Sequence, residues 1–319
     1  MKRIWLSVVL LTGSLLSATP ASAQSPQSAE ALLQKMGDAS RTLNYELAFI
    51  TISPKGIIPV RYRHALMNGQ PVAQIMQMDS SRREIVQRGQ EISYYEPGLD
   101  SFSLAGNHIV DYLPAIIFAD FAALKAYYNF IDVGRIHIGD HPGRVVRITS
   151  KDNSRYNYIV VVDEESGLPL QVELLDLNNV SLEQFRVVSV SVNNPGVTES
   201  LKAVQTVTMP PVLAIPQSEN VKFDWDVMRL PNGFKELTRN RRQVGAQEWI
   251  ETVMFSDGVF SFSVNVAKAV KIPENQQTLR QGSRTLYTLR KGNNEITIFG
   301  ELPMATARQV AEGVTFSGG

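Results

Sequence analysis

Apolar positions change period several times along the chain, and each change marks an element. Over residues 28–43, Ala29, Leu32, Leu33, Met36 and Leu43 fall on one helical face. Ser28 stands where a helix N-cap would accept from the first-turn amides, so one amphipathic helix is predicted. From Asn44 the period drops to two. Tyr45, Leu47 and Phe49 share one face, while Ala48, Ile50 and Ile52 share the other. A strand apolar on both faces is covered on both sides or lines something apolar. Pro54-Lys55-Gly56 turns the chain. Ile58, Val60 and Tyr62 then alternate with Arg61 and Arg63, and Asn68-Gly69 predicts a tight hairpin with 72–78 as the return strand.

The alternation continues over 83–88, 91–95 and 101–105, breaks, and resumes over 131–138, 143–150, 155–163, 168–176 and 180–192. The break, 112–128 (YLPAIIFADFAALKAYY), is apolar and aromatic and predicts a helix after Pro114. One helix, a long meander of strands and a helical insertion give an α+β domain over 24–192, built on a large curved antiparallel sheet. Residues 193–220 lose the pattern and hold Asn193-Asn194-Pro195-Gly196, Pro210-Pro211 and Pro216. They read as a Pro-rich linker of restricted conformation, with room for a short helix near 198–205. A smaller α+β unit over 221–319 follows. Its strands lie near 234–240, 249–255, 259–267, 284–290 and 294–300, and a final helix begins at Pro303.

The first residues have a different character. A basic start at Lys2-Arg3 precedes an apolar run, Ile4 to Leu16, and then Ala21-Ser22-Ala23. This is the three-part layout of a secretory signal peptide over 1–23. The run is shorter than the roughly 20 residues needed to span a bilayer, so the mature chain is expected outside the cytoplasm. With no cysteine in the sequence, disulfides, thiolate nucleophiles, thiolate zinc sites and lipid attachment after Ala23 are excluded. Equal numbers of basic and acidic residues, 31 of each, give no reason to expect a nucleic-acid partner. Residues 24–217 carry 16 basic and 20 acidic side chains against 13 and 11 in 218–319. The difference is small. Within the second unit, however, Arg239, Arg241 and Arg242 lie together, either as a solvated turn or as a docking patch for an acidic peptide or phosphate.

The sequence contains no nucleophile elbow, phosphate-binding loop, metalloprotease motif or dinucleotide fingerprint. His137 and His141 are four apart but flank the turn Gly139-Asp140, so no metal site, cofactor or catalytic residue is expected. What stands out is the apolar content of the large domain. Tyr94, Phe102, Ile116, Ile117, Phe121 and Tyr127 fall within one stretch, and Met76 and Met78 add adaptable side chains. These eight residues are either ordinary core or the lining of a concave sheet that holds acyl chains, where area removed from water contributes about 25 cal/mol per Å².

Several runs resemble the RseB/MucB family of sigma-E factor regulatory proteins. They are Arg61-Tyr62-Arg63-His64, 82–89 (RREIVQRG), 92–99 (ISYYEPGL), 109–114 (IVDYLP) and 183–187 (EQFRV), with 256–266 (SDGVFSFSVNV) and 295–303 (EITIFGELP) in the second unit. Order and spacing match over essentially the whole mature chain. The resemblance implies a periplasmic, non-enzymatic negative regulator of the envelope stress response. It implies a large domain like the lipoprotein-carrier half-barrels, with a helical plug over an apolar cavity. It further implies that the small domain and linker bind the periplasmic segment of a membrane-bound anti-sigma factor and shield it from regulated proteolysis. Lipopolysaccharide or mislocalised lipoprotein, through its acyl chains, is the implied releasing ligand. The alternative from the residues is a periplasmic lipoprotein or lipid carrier, and homo-oligomerisation is left open. Arg61, Arg63, Arg82, Arg83 and Arg88 either form an anionic-lipid patch or pair with Glu84, Glu91 or Glu96.

Overall fold

The computed structural model describes residues 28–79, 82–214, 221–245, 248–269 and 277–317. The expected signal peptide and linker residues 215–220, Pro216 included, lie outside the described residues.

The chain opens with α1 (Ala29–Thr42), capped by the Ser28 side chain, which accepts from the Ala31 amide. The strands β1 (Tyr45–Ser53), β2 (Gly56–Met67), β3 (Gln70–Gln77), β4 (Glu84–Arg88), β5 (Glu91–Tyr95) and β6 (Phe102–Ala105) form a meander. A 3-10 turn (Ala115–Phe118) and a one-turn α2 (Phe121–Leu124) interrupt it. β7 (Tyr128–Ile138), β8 (His141–Ser150), β9 (Asn157–Asp163), β10 (Pro169–Leu175) and β11 (Ser181–Val192) complete one open 11-stranded sheet. β1 sits beside β11, so the two meanders close on each other in the order β6-β5-β4-β3-β2-β1-β11-β10-β9-β8-β7. All pairings are antiparallel. The Asn68-Gly69 hairpin has the two left-handed residues its sequence requires, with φ of 53° and 75°.

α3 (Pro195–Thr206) follows, with Asn194 as N-cap. It lays Val197, Leu201 and Val204 on Ala65, Val72 and Val86, on the face of the sheet opposite α1. Residues 208–213 then run along the β6 edge. The Pro210 carbonyl accepts from the Ser103 hydroxyl at 2.8 Å, and Ser103 bridges to Val212.

The second unit holds β12 (Trp225–Val227), β13 (Lys235–Gln243), β14 (Trp249–Ser256), β15 (Ser261–Lys268), β16 (Thr278–Gln281), β17 (Arg284–Lys291), β18 (Asn294–Gly300), α4 (Met304–Glu312) and β19 (Val314–Phe316). Six of these strands make one antiparallel sheet, β13-β14-β15-β18-β17-β16, while β12 and β19 pair separately. α4 packs across β17 and β18. The α+β class with one large antiparallel sheet and a smaller unit is as the sequence predicts.

Two local expectations are corrected. Residues 112–128 are not one helix, because Ala119 is extended and Asp120 caps a fresh turn by accepting from the Ala123 amide at 3.1 Å. Asp favours a cap over a helix interior because its carboxylate competes for backbone amides. Residues 239–242 are not a turn but the interior of β13, paired with β14 from Lys235↔Ser256 to Gln243↔Trp249.

Candidate functional site

The inner face of the large sheet is filled rather than hollow. Leu32, Leu33 and Met36 of α1, and Ile116, Ile117 and Phe121 of the plug, are buried on it against Tyr45, Tyr62 and Phe185 of the strands. Phe121 meets Phe130 edge-on, with centroids 5.9 Å apart. The plug is tethered at its middle and at its entry. The Arg41 guanidinium donates to the Phe118 carbonyl at 2.5 Å, and His108 stacks on the Phe118 ring at 4.3 Å. At the entry to the plug, Tyr112 adopts φ of 62°, a left-handed conformation that costs a non-glycine residue about 1–3 kcal/mol. Its hydroxyl donates to Gln77 at 2.9 Å and accepts from Arg83 at 3.3 Å. Arg83 also pairs with Asp111 and Glu96, both at 3.5 Å. The strained residue is thus held directly by Gln77 and Arg83, and Arg83 is in turn held by Asp111 and Glu96.

The structure brings together only some of the eight apolar residues singled out. Ile116, Ile117 and Phe121 form the plug. Tyr94 stacks on Phe102 at 4.9 Å, and its hydroxyl donates to Asp111 at 2.9 Å, beside the Arg83 anchor. Burial first, and then the Asp111 charge, hold the Tyr94 hydroxyl above its usual pKa. Met76 lies elsewhere, in register between Arg61 of β2 and Glu84 of β4 on the opposite face. Met78 is 46% exposed. Tyr127 faces the second unit. The basic residues of this region are largely paired: Arg63 donates to Glu46 at 2.6 Å, Arg61 lies 3.9 Å from the same carboxylate, and Arg88 donates to the Gln205 carbonyl of α3.

The arginine trio of β13 divides. Arg239 makes a two-pronged pair with Glu236 at 2.7 and 2.9 Å, and Arg241 binds Glu251. Both guanidinium groups lie over the Phe223 ring, at 4.9 and 5.8 Å. The Glu236 carboxyl is held below its usual pKa by hydrogen bonds from Arg239. Arg242 alternates to the other face and is exposed. β-strand alternation sets this division.

A site not foreseen from the sequence lies where the two sheets meet. Arg155 is fully buried, and its Nε donates to Asp257 at 2.6 Å. It also donates to the Asn232 carbonyl and lies over the rings of Phe234, Tyr127 and Tyr128 at 4.7, 5.4 and 5.7 Å. The Tyr128 hydroxyl shares the same Asp257 oxygen at 3.2 Å. Asn232-Gly233 can approach only because residue 233 is glycine. Its φ is +91°, and a Cβ there would stand 2.6 Å from the Tyr127 ring. Around this pair, Phe260 stacks on Tyr158 at 5.6 Å, the Tyr156 hydroxyl donates to the Leu302 carbonyl, and Thr306 donates to the Ser154 carbonyl. A buried pair of this kind costs about 3–5 kcal/mol when one partner is removed. Arg155 and Asp257 are about a hundred residues apart, and Asp257-Gly258 reads in sequence only as a turn, so no local signal marks them.

Comparison with known proteins places this architecture. Residues 28–213 match the MucB/RseB N-terminal domain and residues 219–315 match the MucB/RseB C-terminal domain. The chain belongs to the MucB/RseB family. It is 48% identical to the sigma-E factor regulatory protein RseB of Escherichia coli strain K12, over 99% of both chains. It is 26% identical to the sigma factor AlgU regulatory protein MucB of Pseudomonas aeruginosa, over 96% of this chain and 95% of that one. A crystal structure of MucB in complex with MucA(peri) shares the fold, with a TM-score of 0.70 and 21% identity over 92% of this chain and all of that one. Within the family frame, the buried Arg155–Asp257 pair joins the N-terminal domain to the C-terminal domain.

Proposed function

We propose that this MucB/RseB family member is a periplasmic, non-enzymatic negative regulator. It binds the periplasmic segment of a membrane-bound anti-sigma factor, shields it from regulated proteolysis, and is released when lipopolysaccharide or mislocalised lipoprotein places acyl chains in the large domain. The match of both family domains across the chain, with the relatives' regulatory names, carries this reading. The MucB–MucA(peri) complex supports the class of partner. No helix among the described residues is long and apolar enough to cross a membrane.

The geometry suggests how a lipid would act. An acyl chain gains the area it removes from water, but the inner face is already filled by Ile116, Ile117 and Phe121. Lipid therefore enters by displacing the plug, and the strained Tyr112 lies at the plug's entry. A ligand shifts the affinity for a partner only through its different affinity for two states. Displacement of the plug supplies such a second state.

The test is a titration of the mature protein with the anti-sigma periplasmic segment, with and without lipopolysaccharide. Tight binding that weakens when lipopolysaccharide is added is expected. Binding that ignores lipopolysaccharide removes the lipid switch, and no binding to the segment, with lipoprotein extracted from membranes instead, favours a carrier.

A further inference from the structure

The seam between the two domains holds more acid than the Arg155–Asp257 pair uses. Glu183 of β11 accepts from the Ser283 hydroxyl at 2.6 Å across the seam. Nearby, Asp176 pairs with Arg280 at 3.4 Å. Glu301, between β18 and α4, lies beside these groups. Its backbone amide donates to the Ser261 carbonyl, and the next residue, Leu302, accepts from Tyr156 of the large domain. No ion pair reaches the Glu301 carboxyl among the described residues. It is faced by Glu183 from the large sheet, by Asp257 from the β14–β15 turn and by Arg284 from β17. From β9 and the residue before it, Tyr158 and Tyr156 face it with their hydroxyls, which burial raises first and acidic neighbours including Glu301 raise further.

We propose that the domain seam is a proton-sensitive latch: Glu301 docks against Glu183 in its neutral form, and loss of its proton weakens the contact between the domains. The inference concerns how the two domains hold each other and does not rest on the identity of the partner.

The direction follows from the charges. Burial first, and then the Glu183 charge, push the Glu301 carboxyl up to about 7 from 4.5. Glu183 reaches it only while the domains are together. The docked form therefore holds a proton that the separated form has released, over the interval between those two values. Docking is strongest below the lower value, weakens as pH rises through the interval, and levels off above the higher one. With the ordinary value of 4.5 for the separated domains, the docking constant falls about 30-fold between about pH 5.5 and about pH 8. Glu183 carries its charge on the opposing wall, so neutralising it reduces the effect without abolishing it.

The chain contains no cysteine, so the substitutions Val188→Cys and Leu279→Cys provide two unique thiols. Both residues are exposed, one on the large sheet and one on the small. A donor–acceptor dye pair there reports the separation of the domains. The full mature chain is titrated with urea at about pH 5.5 and about pH 8. Loss of energy transfer at a lower urea concentration at the higher pH is expected. The Glu301→Gln variant keeps the shape of the side chain and should lose transfer at the same urea concentration at both pH values. Glu183→Gln should show a smaller pH difference than the parent. Equal midpoints in the parent at both pH values would overturn the latch. A pH difference that survives in Glu301→Gln would also overturn it, because another group, such as His64 or His108, would then be the sensor.

Discussion

The two faces of the large sheet are covered in opposite ways. The outer face carries α3, twelve residues of regular helix capped by Asn194, whose apolar stripe Val197, Leu201 and Val204 meets Ala65, Val72 and Val86 of the sheet in one small buried cluster. The inner face carries the plug, two single turns joined by extended Ala119, with Tyr112 left-handed at its entry and Arg41 and His108 on Phe118. The helix satisfies its own backbone and needs only one seam of contact. The plug has too few intrahelical hydrogen bonds to stand alone, and short helices are marginal in water without tertiary support. Its geometry is set by the side chains it touches. The inner cover is therefore the part of the fold whose position depends on a few identifiable tethers.

The largest effect that separates the two covers is expected at Phe121. Its side chain is completely buried among Phe130 and the plug, and Phe121→Ala should cost about 3–5 kcal/mol. Urea unfolding followed by far-ultraviolet circular dichroism measures it. A loss below about 1 kcal/mol would mean that the plug rearranges to fill the space, and the picture of a tethered cover would fail.

The same contrast explains what was legible in the sequence. The periodicity over 28–43 predicts the first helix, which spans Ala29–Thr42. Its stripe repeats on a helical period, and Ser28 caps it as read. The Asn68-Gly69 turn fixes its own left-handed backbone. Those signals are local. Residues 112–128 are apolar at nearly every position, so no period distinguishes a helix from an irregular cover, and only Asp120 marks where the chain restarts. Of the residues singled out as apolar lining, Ile116, Ile117 and Phe121 share the inner face. Met76 does not, because register places it between Arg61 and Glu84. The arginine cluster was legible as charge, but Glu251, the partner of Arg241, stands on the neighbouring strand. The Arg155–Asp257 pair was invisible for the same reason on a larger scale, since docking of two sheets creates it.

On the outer face, Leu201→Ala removes the central residue of α3's seam, which is fully buried. The expected loss is about 2–3 kcal/mol, less than for Phe121 because a helix on a surface can settle toward the gap. The discriminating measurement is amide hydrogen exchange. Protection should fall in 197–206 and at the β6 edge, where Ser103 holds the Pro210 carbonyl, and should stay unchanged in 115–124. Loss of protection in both covers together would show that they form one cooperative unit, and the comparison would lose its meaning.

The smallest effect is the most specific. Tyr112→Phe keeps the ring that lies 5.7 Å from the Arg83 guanidinium and the left-handed backbone, and removes only the hydroxyl that links Gln77 to Arg83. The expected cost is about 1 kcal/mol, that of one hydrogen-bonded group. Global unfolding would barely register it. Local opening should, because strain of about 1–3 kcal/mol at Tyr112 persists only while its surroundings hold it, and the hydroxyl is part of that hold. Amides over 113–124 are expected to exchange about fivefold faster, the rate change that about 1 kcal/mol of easier opening produces, while α3 stays at its parental rate. Unchanged exchange over 113–124 would place the hold on the plug in Arg41 and His108 instead, and would make their contact with Phe118 the tether that an entering acyl chain has to break.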